Sequence, residues 1–199
     1  MRETWRTIED WLAKHAPHLL LRLRPGASEA DLAEAEVAVH STLPPELTEH
    51  FRIHDGEDED EAWLLGSHSL LPLSAVVHTG AMRASCSRVA PTARSALWMR
   101  CRRNSLRCSG SSKWIPFAYD GSGGYLHVDV SPGAAGTIGQ VIQTTSDGEY
   151  RYVAPSLRAF FETFVLHLEA GAFEVFDGGL EPRAGDNHWW EHEARGGAA

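Results

Sequence analysis

The chain has 199 residues, of which 43% are hydrophobic and 23% charged, a balance that predicts one ordinary soluble globular domain able to bury its own core. No run approaches the roughly 18 consecutive apolar residues of a membrane helix. The N-terminus lacks the apolar core of a signal peptide, and three cysteines without CxxC spacing exclude a disulfide framework, so cytoplasmic residence is the expectation.

The net charge of −9 is unevenly spread: residues 1–61 carry −9, residues 62–119 carry +8 and residues 120–199 carry −8. Such an acidic body repels nucleic acid and draws basic partners. Trp5, Ile8, Leu12 and Leu19 recur near helical spacing, and Pro17 predicts an interruption around residue 15. Ser28 reads as an N-cap with Asp31 completing a weak capping box, and Leu32, Ala35, Val39 and Leu43 follow on one face. Pro45 suits the first turn of a short helix carrying Leu47, Phe51 and His54, stopped by Gly56. "EDEDE" at 57–61 reads as a solvated acidic loop, and Ser74 as the cap of another short helix.

From Trp114 the period changes to two. Ile115, Phe117 and Tyr119 are expected on one face, and Leu126, Val128 and Val130 on another. Gly139–Thr144 and Glu149–Val153 flank a hairpin turn at Ser146-Asp147-Gly148. The clearest helix carries Leu157, Phe160, Phe161, Phe164, Val165 and Leu168 between Ser156 and Gly171. The expected fold class is α+β, a central and mostly antiparallel sheet with N-terminal helices and a C-terminal helix packed on it. Residues 1–172 form the expected domain and 173–199 a tail.

Few motifs carry chemistry. Asp120-Gly121-Ser122-Gly123-Gly124 leads into a strand, whereas a phosphate cradle or nucleophile elbow must open a helix, so the glycines read as a hairpin connection. Asp120 and Asp129 form a candidate carboxylate pair for a hydrolase, against the plainer reading of a turn residue and an exposed strand end. His188-Trp189-Trp190-Glu191-His192 spells H-x-x-E-H but lies in the expected tail without a third ligand, so no metal is expected. The acidic run lacks the glycine position of a calcium loop. Residues 83–113 mix Arg, Ser and all three cysteines, with Trp98 the one aromatic, too few for an RNA-binding platform and without paired zinc ligands. They read as a variable excursion whose positive charge folds back on the acidic body, or as an abnormal stretch of coding sequence.

Over most of residues 3–171 the sequence resembles the SUKH superfamily, in particular the Smi/Knr type of cell-wall-assembly regulator domain. The resemblance rests on "WRTIEDWLAKHAP", on Leu43-Pro44, on His54-Asp55-Gly56 and on "LLGSHSLLPLSAV". It continues through Trp114, Pro116, Asp120, Gly124 and Asp129, then Gly139-Gln140-Val141 and the helix after Pro155-Ser156. Residues 83–113 depart from the pattern. The resemblance implies no catalysis and no cofactor. Its main implication is an immunity protein that binds and neutralises a cognate toxin, such as a basic nuclease or deaminase; the alternative is a regulatory or scaffolding module of wall synthesis, and neither has a nucleic-acid or membrane partner. Asp55, Glu57, Asp58 and Glu61 are the candidates for steering a basic partner, and Trp63 for anchoring it, the alternative for Trp63 being ordinary core.

Overall fold

A computed structural model describes residues 1–58, 63–79, 114–147, 149–176, 178–183 and 189–191. Residues 83–113, Glu61, His188 and His192 lie outside them. Helix α1 (Arg2–His15) turns Trp5, Ile8 and Leu12 inward and ends where Ala16 leaves helical geometry; Pro17 then opens α2 (Pro17–Leu20). Helix α3 (Glu29–Val39) begins with the expected reciprocal cap: Asp31 N–H donates to Ser28 Oγ, and Ser28 N–H to the Asp31 carboxylate. Such caps stabilise by about 1 kcal/mol. It ends at His40, whose φ of 52° is left-handed, so Leu43 lies beyond the helix yet remains in the core. Pro45 opens α4 (Pro45–Ile53).

Strand β1 (Ser69–Leu70) and a helix at 73–79, α5, follow. The first amide of α5, Leu73 N–H, donates to Asp55 Oδ1 at 2.7 Å. The distant Asp55, not Ser74, therefore caps this helix. The sheet continues with β2 (Trp114–Tyr119), β3 (Tyr125–Asp129), β4 (Gln140–Thr144) and β5 (Tyr150–Ala154). The order is β1-β2-β3-β4-β5, antiparallel throughout.

One expected face is wrong. Pro116 pairs with His127 but Ala118 with Leu126, leaving Phe117 as an extra residue. That bulge accommodates a proline in a central strand and reverses the side chains after it. Tyr119 therefore stands beside Tyr125, with ring centres 4.7 Å apart, on the face opposite Ile115.

The other face, with Ile115, Phe117, Val128 and Val141, carries the core under α1, α4 and α6 (Leu157–Glu169). Ser156 caps α6 by accepting from Ala159 N–H, and Gly171 leaves it at φ 67°. Phe161 meets Trp5 at 5.1 Å and Phe160 meets Phe117 at 5.7 Å between ring centres. Each such buried side chain contributes about 1.5–3 kcal/mol by leaving water.

Beyond 172 the described chain is no tail. β6 (Phe173–Phe176) and β7 (Gly179–Pro182) pair antiparallel, and Trp63 bridges to Gly179 beside them. Trp189, in a short 3-10 turn, is buried 5.2 Å from the Phe164 ring and donates its indole N–H to Leu65 O. Two large aromatics in a Gly- and Glu-rich stretch complete the core under α6. Among the described residues no helix is long and apolar enough to cross a membrane.

Candidate functional site

The residues that carry the resemblance turn out to tie elements together. His54, the C-cap of α4, points Nε2 at Glu9 Oε1 (2.7 Å) and Nδ1 at Arg24 O (3.0 Å). Asp55 caps α5 and lies 3.6 Å from the Arg24 guanidinium. Gly56 has φ 75°, and a Cβ there would strike the backbone of Leu70–Pro72. These three consecutive residues thus join α1, the 22–26 segment and the β1–α5 corner.

The glycine loop at 120–124 is likewise a turn. Asp120 Oδ1 accepts the amides of Ser122, Gly123 and Gly124, and Oδ2 accepts the Ser122 hydroxyl. Partial burial works to raise the Asp120 carboxyl, but the Ser122 and Gly124 amides and the Ser122 hydroxyl hold it below its usual value. A Cβ on Gly124 would land on that carboxylate. At the other end of β3, Asp129 accepts from Ser131 N–H and Gln140 Nε2. It is buried, not on an exposed strand end as expected. Four residue steps separate the two ends of β3, roughly 13 Å, so the carboxylates do not converge on one substrate atom and the hydrolase reading loses its pair. Trp114 and Pro116 lie opposite Asp129 and His127 within the sheet. Among the described residues no group of three or more His, Cys, Asp and Glu is placed to hold a metal.

The acidic run behaves differently from its composition. Glu57 is only 4% exposed. Its amide donates to Leu70 O, its Oε1 accepts from Leu70 N–H, and Leu23 bridges to it from the other side. Burial pushes its carboxyl up to about 8, with the Leu70 and Leu64 amides and the Arg22 charge pulling the other way. A sequestered carboxyl of this kind is not a surface steering charge. Asp55 is committed to α5 and Arg24. Asp58 remains exposed, and Trp63 is 41% exposed.

Asp58 and Trp63 border a groove of about 590 Å³. It is also lined by Ser69–Pro72 and the buried Glu57, by Ser74 and His78 of α5, and by Tyr119 and Gly121 at the β2–β3 turn. No Lys or Arg lines it among the described residues. The signal for this site in the sequence was Trp63 next to an acidic run. The participation of Tyr119, His78 and the β1 edge depends on pairings between distant segments and was missed. A smaller hollow of about 250 Å³ between α1 and α6, bordered by Trp11, His15 and Leu168, gathers no comparable set.

Residues 26–163 match the family model described as SMI1 / KNR4 family (SUKH-1). The chain is 26% identical over 217 residues to the cell wall assembly regulator SMI1 of Saccharomyces cerevisiae, covering 92% of this chain and 43% of that protein. It is 27% identical to the cell wall biosynthesis/cell cycle regulator smi1 of Schizosaccharomyces pombe, over 87% of this chain and 37% of the relative. It is also 27% identical to a glucan synthesis regulatory protein of Neurospora crassa, over 86% and 39%. The chain thus spans less than half the length of these relatives. A fold built as read and a family match over more than two thirds of its residues place this chain in the SMI1/KNR4 (SUKH-1) family.

Proposed function

We propose that this chain is a non-catalytic protein-binding domain that works as a regulatory or scaffolding module, and that its partner docks in the groove between Trp63 and α5. The observation that carries this reading is the exposed Trp63 beside Asp58, over a groove with no described Lys or Arg. Tryptophan at a pocket supplies much of the free energy in protein interfaces, and acid beside it favours basic partners. The regulators of wall assembly and glucan synthesis among the relatives support a regulatory role. The family motif residues are spent on capping and turn formation, which supports a scaffold without reaction chemistry.

The net charge of −9 favours a second reading, an immunity protein that neutralises a basic toxin. The two readings diverge in cells: protection from a co-expressed toxin encoded beside the gene supports the second, and a wall-synthesis defect on deletion supports the first. For either, a partner captured by the wild-type chain is expected to be lost by Asp58→Lys and Trp63→Ala and retained by Val37→Ala, on the exposed side of α3. Retention by all three variants removes the groove from the account.

A further inference from the structure

The β4–β5 register determines which backbone groups of the last strand are engaged. Thr145 N–H donates to Glu149 O at 2.9 Å, and Gln143 stands opposite Arg151. Bonded positions alternate along an antiparallel ladder, so Glu149 and Arg151 turn their backbone groups toward β4. Those of Tyr150 and Tyr152 therefore face outward, and no further strand follows β5 among the described residues. The two tyrosine side chains are 63% and 61% exposed. Unpaired strand edges are templates for another strand unless proline, a bulge, a cover or uncompensated charge blunts them. From Tyr150 to Tyr152 there is no proline, and the irregularity in β5 comes after Tyr152, where Ala154 instead of Val153 faces Val141.

The charges on this edge are also self-complementary. Glu149 and Arg151 flank Tyr150 with opposite signs on one side of the strand. In an antiparallel pairing that sets Tyr150 against Tyr150 of a second copy, Glu149 of each copy faces Arg151 of the other. Sliding the strands by one residue on each copy would oppose Arg151 to Arg151, a like-charge pair that destabilises. The edge thus prefers one register with its own duplicate.

We propose that β5 is a self-association edge, along which a second copy of this chain pairs antiparallel at Tyr150 and continues the sheet across a two-fold axis. This isologous contact uses the same patch on both copies. It lies on the opposite edge of the sheet from β1 and the groove, and so stands independently of the function proposed above.

Sedimentation of the full chain from about 10 to 500 µM tests it, since a contact this small is expected to be weak. A monomer–dimer shift with concentration is expected. Tyr150→Pro removes an outward N–H that takes no part in the β4 ladder, a position where proline is tolerated, and is expected to weaken the dimer at least about tenfold with the fold retained by circular dichroism. Arg151→Glu is expected to weaken it as well, and adding Glu149→Arg to restore it. A chain monomeric at every concentration overturns the proposal. So does a dimer indifferent to Tyr150→Pro, or an Arg151→Glu loss that the second change fails to repair in a folded protein.

Discussion

The helix-covered face of the sheet and its β1 edge handle buried polar groups in opposite ways. Under α1 and α6, His50 is fully buried among Trp5, Phe51, Phe117 and Phe161, with its ring stacked 5.3 Å from Phe161. Its Nδ1 accepts the Trp5 indole N–H, while its Nε2 has no hydrogen-bond partner among the described residues. Burial, with the neighbouring His54, pushes it down to about 3, so the ring is neutral. At the edge, Glu57 is buried by being stitched between two backbone segments, and burial pushes it up to about 8. The core tolerates a polar ring by keeping it uncharged and aromatic. The edge uses a carboxyl as a backbone partner, because β1 has only two residues to offer for pairing. The first region supplies the packed core, and the second borders the groove in which recognition is proposed.

The sharpest way to break that contrast is to empty the core. Phe161→Ala removes a ring in contact with Trp5, His50, Phe117 and Phe160, and is expected to cost about 3–5 kcal/mol in chemical denaturation. The two titrating groups come next, and their signs differ. Below pH 6.5 the unfolded chain takes up a proton at His50 that the folded chain refuses down to about 3. Stability should therefore fall with acid across that window by up to about 1.4 kcal/mol per unit. His50→Gln should flatten this limb in urea melts at graded pH.

Glu57 works in the other direction. Between 4.5 and about 8 the folded chain keeps a proton that the unfolded chain has released, so this group lowers stability as pH rises, by at most about 1.4 kcal/mol per unit. From 4.5 to 6.5 the two slopes oppose, and the native protein should show a plateau there. Glu57→Gln should remove the decline from 6.5 to 8 and leave the acid limb of His50. A decline unchanged in Glu57→Gln would assign it to another group. The smallest expected effect on stability is that of Trp63→Ala, about 1 kcal/mol in the same melts, since the residue is already 41% exposed in the folded chain. A loss comparable to Phe161→Ala would make Trp63 core after all.

Legibility in the sequence followed the range of the forces involved. The Ser28–Asp31 box, Pro45 at a helix start, and the Ser156-to-Gly171 helix are settled within a turn or two of chain, and the structure keeps all of them. Gly56 does not stop α4 as expected: the helix ends at Ile53 with His54 already extended, and the positive φ of Gly56 serves the close approach of the Leu70–Pro72 backbone. The turn role of Asp120 was readable because its acceptors' donors lie two to four residues away. Glu57 was misread because the amide that buries its carboxyl is thirteen residues off. Tyr119 was misplaced because a single bulged residue reverses the face, and Pro116, the one local mark of that bulge, does not say on which residue it falls. Trp189 gave no periodic signal, since it reaches the core from a three-residue turn after a two-stranded ribbon.

The central claim is that recognition is localised beside Trp63. A photo-crosslinking residue placed at position 63, compared with one at the exposed position 37 of α3, tests it in the native cell. The expected result is a discrete protein adduct from position 63, abolished by Asp58→Lys, and none from position 37. Adducts from 37 but not from 63 would place recognition elsewhere and contradict the account.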